Sequence, residues 1–139
     1  MKNLQNGRSM IEMLGVLAII GVLSIGGLAG YTMAMNRHKA NVLLDDAMKC
    51  GTIAQTTHEG TAFAAVACND ASLLGNSAAY TAYGTVTVTR PALAAGLQAD
   101  TTVVITPTAD GVRDAIRSRT GVTNGNTFTY NMDTRGWTS

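Results

Sequence analysis

The chain has 139 residues and a formal net charge of +1, which leaves room for one small domain and an accessory segment but not for two ordinary domains. Charged residues make up 14% of it, against a usual share of about 25%, and the near-balance of charge gives no basic field that points to nucleic acid as a partner. The deficit is local. No Asp, Glu, Lys or Arg occurs between Glu12 and Arg37, while the remainder is polar sequence rich in Thr, Ala, Gly and Asn.

The first element is short. Met1 to Gly7 is a polar stretch carrying Lys2, followed by Arg8-Ser9-Met10-Ile11-Glu12. The uncharged run from Met13 to Asn36 is long enough to cross a bilayer as a helix, which takes about 20 residues. Lys2 and Arg8 precede it and Arg37, His38 and Lys39 follow it, so basic flanks on both sides set no orientation. The run is too long for the core of a secretory signal, and no Ala-x-Ala site ends it. Glu12 is the anomaly. A carboxylate in such a helix costs up to about 2.5–3.5 kcal/mol near the bilayer centre, so it needs a partner.

Gly7-Arg8-Ser9-Met10-Ile11-Glu12 followed by a long apolar helix resembles the class III signal of type IV pilins and of the pseudopilins of type II secretion. The likeness covers about Gly7 to Ala40. It implies a leader, residues 1–7, cut after Gly7 by a membrane-embedded prepilin peptidase that methylates the new amine of Arg8. It also implies a transmembrane and filament-core helix over 8–36. Glu12 takes the place of the family's glutamate, which pairs with the N-terminal ammonium of a neighbouring subunit and fixes assembly register. An assembly ATPase and a platform protein come with that expectation. Two departures stand out. Arg8 occupies a position where the family usually has Phe, and the helix lacks a mid-span proline. Instead it carries Gly15, Gly21, Gly26, Gly27 and Gly30, which let helix backbones approach closely; Gly26 and Gly30 have small-xxx-small spacing.

No turn signal ends the apolar run. Ala40, Leu43, Leu44, Ala47, Met48 and Ile53 recur at helical spacing, which predicts one helix from about Ser9 to about Thr57, roughly 70 Å long. Its second half is amphipathic and needs a sheet over one face. Cys50 and Cys68 belong to no Cys-x-x-Cys pair, and His38 and His58 complete no zinc pattern. A Cys50–Cys68 disulfide is expected where this part of the chain lies outside the cytoplasm. The other reading is two free, half-buried thiols.

Thr61 to Tyr83 reads as a loop with one or two short helical turns and a turn at Asn69-Asp70. Alternation then predicts strands over Gly84–Arg90, Thr101–Thr106 and Thr127–Asn131. Between the last two lies a short helix over Gly111–Arg119, capped by Asp110 and ended by Gly121; Asn124-Gly125 forms the following turn. The fold class is therefore α+β: a long N-terminal helix packed on a small antiparallel sheet, with residues 37–139 forming the second half of that helix and the head. The strand–helix–Gly–strand order over Thr101–Tyr130 is similar to type IVb pilins, although the family's usual disulfide near the C-terminus is absent. Trp137 is read either as a packing plug for the sheet edge, the favoured reading, or as an exposed contact.

No nucleophile elbow or phosphate loop occurs, and the adjacent Asp45 and Asp46 point apart on a helix. Arg113, Arg117 and Arg119 are read as solvated helix charges, the last two complementing the helix C-terminus, rather than as a phosphate-binding face. The expectation is a structural subunit without catalytic residues, metal or cofactor, homo-oligomeric and anchored in the inner membrane before reaching the surface. A pseudopilin or minor pilin shares every N-terminal feature, and an uncleaved single-span protein with a binding head is the rival from another class.

Overall fold

The computed structural model describes residues 3–68, 82–92 and 99–138. Two compact units make up the chain, Met1–Met35 and Asn36–Ser139. Helix α1, Asn3–Thr57, starts six residues before the expected Ser9 and ends where expected. Every residue from Ser9 to Ala34 is exposed, so nothing in the first unit covers its apolar side chains.

In the second unit the same helix changes character. Ala40, Leu43, Ala47, Cys50 and Ala54 are buried, spaced alternately three and four apart along one stripe. Small residues alternate with larger ones on that stripe, and the sheet comes close. At Gly51 an added Cβ would lie 2.9 Å from both Met132 Sδ and Val103 Cγ2, so only glycine fits without displacing them. On the exposed side Asp45 and Lys49 pair at 2.6 Å. The hydrogen bond to Asp45, and the charge of that carboxylate, hold Lys49 above the ordinary lysine range.

The sheet has five strands in chain order, all antiparallel: β1 Phe63–Ala67, β2 Gly84–Arg90, β3 Thr102–Pro107, β4 Phe128–Asn131 and β5 Gly136–Thr138. One row of register partners crosses it: Val66, Val88, Val103, Tyr130 and Trp137. A second row is Val86, Ile105 and Phe128. These two rows face the core with the α1 stripe, while Thr85, Thr87 and Thr89 alternate onto the other face. Burying each large apolar side chain here contributes about 1.5–3 kcal/mol.

Two strands were not expected. Phe63–Ala67 lies in the stretch read as loop, and Gly136–Thr138 follows the strand read as last. The Ala-rich β1 has no clean alternation, and a bulge between Phe63 and Val66 breaks its register. The expected Asn69-Asp70 turn, like residues 69–81 as a whole, lies outside the described residues. Trp137 sits half-buried on the edge strand β5, its ring 4.8 Å from that of Tyr130.

Helix α2, Asp110–Thr120, connects β3 to β4 and buries Val112 and Ile116. The expected Asp110 cap is corrected. Ala109 holds the capping position in an extended conformation with no side-chain hydrogen bond. Asp110 is the first helical residue, and its carboxylate meets Arg113 at 2.7 Å instead. It still favours the positive end of the helix dipole. Gly121 closes the helix with φ 75°, its N–H donating to the Arg117 carbonyl at 3.0 Å, a left-handed end that glycine adopts without steric cost.

One buried polar group organises the end of the sheet. The Thr101 hydroxyl accepts from Arg90 Nε at 2.7 Å, and its N–H donates to Asp133 Oδ2 at 2.7 Å. Its carbonyl accepts from Met132 N–H at 2.9 Å. Arg90 also donates to the His58 carbonyl at 3.3 Å. The hydroxyl, N–H and carbonyl of Thr101 thus each have a partner although no part of it reaches solvent.

Candidate membrane-spanning and assembly helix

The residues with the clearest functional character lie in the first unit. Met10, Ile11, Met13, Leu14, Leu17, Ile20, Leu23 and Leu28 are all more than half exposed. The helix has a mean hydropathy of 2.2 over its most apolar window, none of it buried. A helix apolar on all sides is stable only when something apolar surrounds it. It is compatible with insertion in a membrane by length and composition. Ser24 and Thr32, its interior hydroxyls, return to the helix by donating to the carbonyls of Ile20 and Ala29, so neither presents an unsatisfied donor to lipid.

Glu12 is exposed in this segment and makes no ion pair among the described residues. Gly15, Gly21, Gly26 and Gly30 have nothing within 4 Å of an added Cβ. Among the described residues, then, nothing packs closely against these glycines. The Gly7–Arg8 bond falls inside the first turns of α1. Unwinding the helix at this point costs up to about 1 kcal/mol less with Gly7 than it would with Ala.

In the second unit Cys50 and Cys68 form a disulfide, with 18 residues of separation and Cα atoms 6.0 Å apart. It ties the end of β1 to the middle of the buried stripe of α1. The double variant C50S/C68S is expected to be less stable by about 3 kcal/mol, the chain-entropy value for a loop of this size. Urea unfolding of the oxidised protein and of the variant measures the difference. Equal midpoints would mean that packing alone holds β1 in place.

The three arginines of α2 are engaged locally. Arg113 pairs with Asp110 and Arg117 with Asp114 at 3.2 Å, and Arg117 also donates to the Gly125 carbonyl at 2.7 Å. Arg119 donates to the Asn41 side-chain oxygen. They do not form a common phosphate-binding face on the helix. Lys39 lies over the Tyr83 ring, 5.7 Å from its centre. Arg119 is nonetheless brought near Arg37, Asn41 and Ser118, which with Ala115 line a cavity of about 240 Å³. No sequence pattern signals this grouping, because Asn41 and Arg119 are 78 residues apart. Among the described residues no group of three or more His, Cys, Asp or Glu could hold a metal ion.

Compared with protein-family models, with curated proteins and with solved structures, the chain matches none. Its architecture is that of a long N-terminal helix, apolar and uncovered at its start, that packs further along on a small five-stranded antiparallel sheet, an arrangement of the pilin-like kind.

Proposed function

We propose that this chain is the structural subunit of a type IV pilus-like filament. It is made as an inner-membrane precursor, cut between Gly7 and Arg8, methylated on the new Arg8 amine, and assembled through its N-terminal helix. The observation that carries this reading is the combination of one carboxylate, Glu12, with a helical stretch that is uncharged and uncovered from Met13 to Ala34. Lipid satisfies the apolar surface before assembly, and a bundle of identical helices satisfies it afterwards. Neither satisfies the carboxylate. A neighbouring copy's α-ammonium does, because it brings an opposite charge into the same low-dielectric layer. The uncontacted glycines suit a bundle in which backbones approach closely. The partners in this reading are further copies of the chain, the inner membrane, a prepilin peptidase, an assembly ATPase and a platform protein. The role is structural and uses no cofactor.

One feature favours a second reading. Arg8 places a cation where the family usually has an apolar residue, which suits an uncleaved single-span anchor carrying a binding head. Intact-mass and N-terminal analysis of the protein from native membranes and from the sheared surface fraction decides between them. The expected result is a chain starting at Arg8 with one added methyl group. A chain that retains Met1 to Gly7, in cells with active prepilin peptidase, would establish the anchor instead.

A further inference from the structure

Arg37 is the first charged residue after the uncharged run, and it lines a cavity with Asn41, Ala115, Ser118 and Arg119. Two arginines line it, and no carboxylate is among its described lining residues. Arg113 and Arg117 are each paired with an aspartate, but Arg37 and Arg119 have no such pair among the described residues. Arg119 donates to Asn41 Oδ1, which leaves the Asn41 amide N–H groups to donate elsewhere. Ser118 donates to the Ala115 carbonyl at 2.8 Å. The remaining donors are the Arg37 fork, the rest of Arg119 and the Asn41 amide. Such a set matches the bidentate geometry of a phosphate.

Position along the chain indicates where that phosphate comes from. Arg37 to Asn41 covers about 6 Å of helix rise, and each headgroup layer of a bilayer is about 5–8 Å deep. We infer that the cavity bounded by Arg37, Asn41, Ser118 and Arg119 binds the phosphodiester of an anionic phospholipid in the leaflet at which the apolar helix ends. This rests on the membrane-spanning part of the proposed function, and it adds a specific lipid contact that steadies the head before assembly.

The test uses the full chain in a maltoside detergent, which supplies no phosphate. Native mass spectrometry reads retention of dimyristoylphosphatidylglycerol, with diacylglycerol as the phosphate-free control. The wild type is expected to retain the phospholipid and not the diacylglycerol. R37Q/R119Q is expected to retain it at least about tenfold more weakly, the order of magnitude for losing one charge-assisted hydrogen bond. R113Q, on the same helix but outside the cavity, is expected to match the wild type, and R37K/R119K to recover part of the loss. Trp137 fluorescence checks that each variant is folded. Equal retention by wild type and R37Q/R119Q overturns the proposal. Displacement of the lipid by an equal concentration of inorganic phosphate overturns the lipid assignment. Loss of self-association in R37Q/R119Q with lipid retention intact overturns it in favour of a neighbouring copy's carboxylate. Co-flotation of the chain with phosphatidylcholine vesicles tests insertion separately, so failure of the spanning reading is distinguishable from failure of the cavity.

Discussion

Replacing Glu12 with Leu is expected to leave the chain in the membrane and remove it from the surface filament fraction. The two effects have opposite signs, which makes the variant informative. Inside lipid, before assembly, the ionised carboxylate is a burden of up to about 2.5–3.5 kcal/mol, so its loss favours insertion. In the proposed filament the same change would strand the neighbouring copy's ammonium in an apolar core. Breaking one side of a buried pair costs about 3–5 kcal/mol, a factor of roughly 10² to 10³ or more in each subunit's association. Fractionation of sheared filaments and membranes, with immunoblotting of both, reads the two effects together. Glu12→Gln should fall between wild type and Leu, since an amide can still accept a hydrogen bond. Normal filament yield from Glu12→Leu would mean that the carboxylate only sits among lipid headgroups.

The largest expected effect on the head alone is at Phe128. This side chain is fully buried at the start of β4, register partner of Ile105, which in turn faces Val86. Truncation to Ala removes most of one core row and leaves a cavity, at a cost of about 3–5 kcal/mol. β4 has four residues and β5 three, and Phe128 is the one fully buried side chain that these two strands contribute among the described residues. Urea unfolding followed through Trp137, the single tryptophan, reports on that edge directly. A loss below about 1 kcal/mol would show that the second row tolerates a gap and that the α1 stripe dominates the core.

How much of this was legible in the sequence depends on whether the signal was local. The charge gap between Glu12 and Arg37 and the helical spacing after it are long patterns, and they locate α1 through Thr57. Val86 and Val88 alternate with Thr85, Thr87 and Thr89, so β2 is visible at its true bounds. β3 and β4 fall one residue later at their starts than alternation suggests. β1 is invisible because Ala64, Ala65 and Ala67 carry little strand preference. β5 is invisible for a different reason: Gly136–Thr138 has three residues, too few to show alternation, and it is a strand through its pairing with Thr129, Tyr130 and Asn131. The capping error at Asp110 reflects competition between two uses of one carboxylate, and the pair with Arg113 prevails. The cavity of Arg37 and Arg119 needs two helices brought together, which no local pattern encodes.

The strand order carries a consequence for how the head comes to exist. Each strand pairs with the one that precedes it in the chain, and the disulfide likewise spans only 18 residues. Pairings between sequence neighbours close short loops at low entropic cost, and topologies built from them fold quickly. If the head is delivered across a membrane from its N-terminal side, as the proposed function requires, the chain can therefore add β1 to β5 one at a time, each against a partner already in place. No strand has to wait for the C-terminus. The interval in which an open edge faces other unfinished copies is limited to the time needed to deliver the next few residues.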